Sequence, residues 1–168
     1  MNTIDQYQIN IQDSQNHIAI DERLIQVIQE AVCYLLQTEK VNQAEISLAF
    51  FGNPAVRALN QQYLAHDYDT DVLSFLLDSE ADPEQQTTEI RGAGKRIEGE
   101  VIVSAEMAVA MAEKYQWSAK HELLLYVVHG LLHLCGYDDL SEDELQLMRT
   151  KEQQIFDHWG LKIPRREE

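Results

Sequence analysis

Cysteine is scarce in this chain: Cys33 and Cys135 are the only two in 168 residues. Two thiols cannot build a disulfide framework, so a disulfide-stapled secreted scaffold is excluded and a reducing, cytoplasmic setting is expected. Glycine (7) and proline (3) are also sparse, whereas hydrophobic residues reach 45%. A chain with that balance can bury a real core, and global disorder is excluded. The longest apolar run, around Leu123 to Val128, is far too short to cross a bilayer. The opening Met1-Asn2-Thr3-Ile4-Asp5-Gln6-Tyr7 has neither a basic start nor an apolar stretch, so no secretory signal is expected. Positive charge is the last shortage: 13 Lys and Arg against 29 Asp and Glu leave a net charge of −16. Broad non-specific attachment to nucleic acid, which depends on cationic phosphate contacts, is disfavoured. A local basic patch or a bound cation would still be compatible with that balance.

The length suits one domain over 1–168, and no repeat, low-complexity tract or linker divides it. Tyr7, Ile9 and Ile11 alternate with polar residues, the pattern of a half-buried strand. Leu24, Ile28, Ala31 and Leu35 recur at helical spacing over 21–37, with Asp21 as N-cap. Ile46, Leu48 and Phe50 alternate again before Gly52, and Asn53-Pro54 opens a short helix to Tyr63. The apolar run 72–77 reads as a buried strand. Residues 78–97, acidic and then glycine-containing, read as a mobile loop. A strand at 100–104, a helix at 105–115, a helix from Ser118 to Gly136 and a helix from the Ser141/Glu144 capping box to Trp159 complete the chain. The expected fold is α+β: a mixed sheet of about four strands, a central buried helix and flanking helices.

That central helix is apolar on every side through Leu123, Leu124, Leu125, Val127, Val128, Leu131, Leu132 and Leu134, so its polar members require a purpose. His129 and His133 are four residues apart and share one helical face, where both rings can aim at one point. Gly136 can end the helix in the left-handed conformation and return the chain toward that point. Asp139 is then the third ligand, with Asp138 competing for the place. Two imidazoles, a carboxylate and an open fourth position are the pattern of a catalytic zinc site, although nickel or iron suits the same donors. Metallopeptidases of the His-Glu-x-x-His type place their general base after the first histidine; Gly130 stands there, so a peptidase is excluded. Glu122 is too far along the helix to replace it, and no other residue is assigned as base. Cys135 points away from the shared face and reads as core.

The segment His129-Gly130-Leu131-Leu132-His133-Leu134-Cys135-Gly136-Tyr137-Asp138-Asp139 resembles the signature of the YbeY family of endoribonucleases. The resemblance continues in Leu59-Asn60-Gln61-Gln62-Tyr63, Asp67, Thr70-Asp71-Val72-Leu73-Ser74-Phe75 and Gly99-Glu100-Val101-Ile102-Val103-Ser104. The family's third histidine is Asp139 here, and Leu64 stands where the family commonly carries arginine. What the resemblance implies is metal-dependent cleavage of single-stranded RNA, maturation of the 3′ end of small-subunit ribosomal RNA, and ribosome quality control. It also implies a ribosomal protein or GTPase partner, which would offset the weak RNA affinity expected of so acidic a chain. His66 is the candidate replacement for the missing arginine, and Arg91, Lys95 and Arg96 form the one cationic cluster able to clamp phosphates. The rival expectation, from a different class, is a ribosome-associated assembly factor whose metal is structural. A fourth protein ligand closing the site would favour it.

Overall fold

Alternating side chains become strands, and stripes become helices, nearly where the patterns place them. The computed structural model describes residues 6–166; Met1 to Asp5, part of the opening segment read above, lie outside the described residues. The order is β1 (Tyr7–Asp13), α1 (Glu22–Thr38), β2 (Gln43–Phe51), α2 (Asn53–Leu64), β3 (Val72–Ala81), β4 (Lys95–Ser104), α3 (Ala105–Tyr115), α4 (Ala119–Cys135) and α5 (Glu142–Asp157). Asp21 caps α1 by accepting from the Leu24 amide at 2.9 Å, and Ser104 caps α3 through Met107 at 3.1 Å. Each cap satisfies an amide that the first helical turn leaves without a partner.

The four strands form one mixed sheet in the order β1-β2-β4-β3. β1, β2 and β4 run parallel, and β3 pairs antiparallel with β4 as an edge strand. Ala44, Ile46, Leu48 and Phe50 of β2 and Ile97, Val101 and Val103 of β4 point to one face, where they bury against α1 and α4. The opposite face carries a smaller cluster of Val56, Leu73 and Ile102 beneath α2. α4 therefore occupies the middle of the main core, with the sheet on one side and α1, α3 and α5 around it.

The stretch expected as a loop over 78–97 is shorter than that. β3 continues through Ala81 and β4 starts at Lys95, so the connection is 82–94. The polar composition of 78–81 was misleading because this end of the hairpin extends past the core. Ladder pairing there needs only backbone groups, and Glu80 faces Arg96 across the strands. A register irregularity between Leu76 and Asp78 marks the departure from the core.

Candidate metal centre

The site begins with how closely α4 approaches the sheet. A Cβ on Gly130 would lie 2.5 Å from Val101 Cγ1 and 3.0 Å from Ser74 Oγ, so only glycine fits there. Ser74 Oγ donates to the Gly130 carbonyl at 2.9 Å, pinning the helix to β3. With Gly130 against the strands, His129 and His133 sit on the flank of α4 that meets α5.

The turn after α4 is held as firmly. Gly136 takes φ +115, and the amides of Gly136 and Tyr137 donate to His133 and Leu132 carbonyls, each at 3.0 Å. This left-handed cap reverses the chain. Tyr137 is 2% exposed, and its hydroxyl donates to Glu39 Oε2 at 2.9 Å while accepting from the Arg91 amide at 3.2 Å. Arg91 also donates to the Gly136 carbonyl at 3.1 Å and grips Glu144 with two 2.8 Å bonds. Ser141 caps α5 through the Glu144 amide, but the Glu144 carboxylate turns to Arg91 instead of completing the capping box. Asp138 bonds the Leu140 amide at 3.1 Å within its own turn, which leaves Asp139 to reach the histidines.

His129 Nε2, His133 Nε2 and Asp139 Oδ2 converge, with separations of 3.0 Å between the rings and 3.4 and 3.8 Å to the carboxylate. Donors bound tetrahedrally to zinc at about 2.0–2.1 Å lie roughly 3.3–3.4 Å apart, so this donor set fits such an ion. Side-chain exposure rises from 15% at His129 through 28% at His133 to 36% at Asp139, so the cluster opens to solvent on the Asp139 side. Among the described residues no fourth carboxylate, imidazole or thiolate joins it.

The electrostatics suit a cation. Burial disfavours a charged His129, but hydrogen bonds to Asp139 and Glu152 outweigh it and raise the imidazole to about 9. Burial, and then the neighbouring His129 charge, push His133 down. The His129 hydrogen bond holds Asp139 below the usual carboxylate range. One positive charge is thus accommodated between the three side chains, where a metal would supply it.

Glu152, which the sequence reading missed, is fully buried and bonds His129 Nδ1 at 2.7 Å. A signal existed: it interrupts the buried stripe Met148, Ile155 and Phe156 of α5 with a charge. The cationic trio does not gather at the site. Arg91 is tied to Glu144, and Lys95 Nζ donates to the Cys135 carbonyl at 2.8 Å. Arg96, one residue on, projects from the opposite face of the sheet, because strand neighbours alternate; its nearest carboxylate is Glu80 at 3.9 Å. His66 lies in the exposed loop after α2, stacked on Tyr68 at 5.2 Å between ring centroids. Arg57 binds Asp67 at 2.9 Å. Glu100 lines a groove on the α2 side of the sheet, and Glu122 is buried against Arg166 and Trp117. Asp71 caps the start of β3 through the Val72 amide, and its charge acts on His129.

Known proteins resemble this chain over most of its length. A family model described as Endoribonuclease YbeY matches residues 10–160. An Endoribonuclease YbeY of Alkaliphilus metalliredigens is 37% identical over 152 residues, covering 90% of this chain and 94% of that protein. The Bacillus subtilis protein of the same description is 35% identical over 146 residues, covering 86% and 91%. A solution structure from Thermotoga maritima superposes with a TM-score of 0.56 over 90% of this chain and 91% of that one. At 22% identity it speaks to the fold alone.

Proposed function

This chain belongs to the YbeY family of endoribonucleases, and from that premise we propose that it cleaves single-stranded RNA at a metal ion held by His129, His133 and Asp139. The observation that carries the reading is the convergence of those three donor atoms at separations suited to a tetrahedral ion. Zinc is the first choice for two imidazoles and a carboxylate, with nickel or iron as alternatives decided by availability. When bound, the ion supplies Lewis acidity toward a phosphoryl oxygen of the scissile bond.

The chain's own side chains do the remainder. The two histidines present lone pairs from a helix that Gly130 lets approach the sheet closely and that Ser74 pins there. Asp139 supplies negative charge on the solvent side, where an RNA strand enters. Asp138 spends its carboxylate on its own turn, so it does not close the coordination sphere as a purely structural metal would require. His66, exposed in the loop after α2 and stacked on Tyr68, is our candidate for a substrate contact. Arg96, on the opposite face, is left out of this reading.

The cellular substrate in this reading is ribosomal RNA at the 3′ end of the small-subunit species, processed in the cytoplasm. A ribosomal protein or GTPase delivers it, since a chain of net charge −16 attracts RNA weakly. No helix among the described residues is long and apolar enough to cross a membrane. The test is cleavage of matched single-stranded and duplex RNA by protein stripped with a chelator and then reloaded with zinc, nickel or ferrous iron. Cleavage of the single strand that returns only with metal is expected; undiminished cleavage by the stripped protein would overturn the proposal.

A further inference from the structure

We propose that Glu152 is the positioning residue of the metal centre: its carboxylate holds the His129 ring with the proton on Nδ1, so that Nε2 presents its lone pair beside His133 and Asp139. The inference deepens the metal reading above and rests on it.

Glu152 occupies a place on α5 that packing alone would give to an apolar residue. Met148, Ile155 and Phe156 share its face, and all are buried. Its side chain is 0% exposed. Burying a carboxylate is unfavourable unless it is paired and hydrogen-bonded, and a hydrophobic residue of similar volume commonly serves a core as well or better. The charge is therefore there for its partners. Glu152 Oε2 faces His129 Nδ1 at 2.7 Å, and Oε1 accepts from Arg149 Nη1 at 2.9 Å. Arg149 is one turn earlier on the same helix, with 36% of its side chain exposed. Its guanidinium holds one carboxylate oxygen and leaves the other for the histidine.

His129 is consequently clasped at both ring nitrogens: by Glu152 at Nδ1, and by Asp139 at Nε2 across 3.4 Å. A carboxylate can only accept from Nδ1–H, so this bond selects the tautomer whose Nε2 is open to a metal. His133 has no comparable carboxylate on its second nitrogen among the hydrogen bonds of the described residues. The two histidine ligands are thus held differently: His129 by the buried Glu152 carboxylate, and His133 by a hydrogen bond to the Tyr137 backbone. A carboxylate behind a ligating histidine raises ligand basicity, and loss of such a partner usually lowers metal affinity 10- to 100-fold.

The experiment compares full-length wild type, Glu152→Gln and Glu152→Leu, each stripped and titrated with zinc against a chromophoric chelator. Nitrogen-15 shifts of the His129 ring, at a pH where it is neutral, and far-ultraviolet circular dichroism are recorded on the metal-free samples. Glu152→Gln keeps the shape and one of the two acceptor oxygens, so about a 10-fold weaker affinity is expected, against roughly 100-fold for Glu152→Leu. The Nδ1–H tautomer should persist in the Gln variant and be lost in the Leu variant, with helical content unchanged in both. Rescue by Gln relative to Leu is something a purely space-filling role would not produce. Zinc affinity within threefold of wild type in both variants would overturn the inference and leave the metal reading standing. Failure of wild type itself to bind zinc would overturn both.

Discussion

Replacing Tyr137 by Phe removes one oxygen from the turn that brings Asp139 to the histidines, and its cost can be worked from the structure. The hydroxyl donates to Glu39 Oε2 at 2.9 Å and accepts from the Arg91 amide at 3.2 Å. Glu39 is 2% exposed and would keep the Gly92 amide at 3.1 Å and Lys151 Nζ at 3.6 Å. A hydrogen bond to a charged group contributes about 1.5–3 kcal/mol, and the surviving partners of Glu39 argue for the middle of that range, about 2 kcal/mol. For a domain of this size each kcal/mol moves the midpoint by roughly 2–4 °C, so Tm should fall by about 4–8 °C. Urea unfolding should show a lower midpoint with an unchanged slope, because the surface exposed on unfolding is the same. A cycle with Glu39→Gln should give a coupling energy above about 0.5 kcal/mol, as expected for groups in direct contact. A loss below about 0.5 kcal/mol for Tyr137→Phe, with no coupling to Glu39, would refute the claim that this pair anchors the turn.

Gly130→Ala gains helix propensity of about 1 kcal/mol but drives a methyl into Val101 and Ser74. A net destabilisation of about 1–2 kcal/mol by denaturant titration is expected, and a more stable variant would contradict the close approach. Arg166→Ala leaves the fully buried Glu122 with neutral partners, the Trp117 indole N–H at 2.7 Å and the Tyr126 hydroxyl. The expected loss is about 3–5 kcal/mol, read from unfolding curves, and partial recovery in a Glu122→Leu/Arg166→Ala double variant would identify the stranded charge as the cause. Burial pushes the Tyr7 hydroxyl, which donates to the Val41 carbonyl at 2.7 Å, up to about 12. Its unfolded counterpart ionises near 10, so between about pH 10 and 12 the unfolded chain holds fewer protons and stability falls as pH rises. Tyr7→Phe should reduce that alkaline slope by up to about 1.4 kcal/mol per pH unit, and an identical slope in the variant would count against the shift.

What could be read from the sequence was local. The His129/His133 spacing, the helix stop at Gly136 and the caps at Asp21, Ser118 and Ser141 each involve a few neighbouring residues, and the structure contains them. The convergence of Asp139 on the two rings was also visible as a possibility, because a left-handed cap constrains where three further residues can go. Side chains whose partners lie far along the chain were not legible. Glu39 meets Tyr137 across nearly a hundred residues, and Glu152 meets His129 from another helix. Arg91, Lys95 and Arg96 look like a cluster in sequence, yet strand alternation sends Lys95 and Arg96 to opposite faces. That alternation was hidden because the strand was expected to start at Glu100 when it starts at Lys95. Polar composition at 78–81 and at Lys95, Arg96 and Glu98 outweighed the single buried Ile97, so the pairing of this end of the hairpin was not legible.

The most direct test of the central claim is cleavage of a single-stranded RNA by zinc-loaded wild type and by His133→Ala, purified in parallel so that contaminating ribonucleases affect both alike. His133 lies on the open side of the cluster with 28% of its side chain exposed, so truncating it should leave the core intact. Cleavage by wild type that disappears in His133→Ala, with the same circular dichroism spectrum, is the expected result. Equal cleavage by the two proteins, or none by either, would contradict the assignment of these three side chains to an RNA-cleaving metal centre.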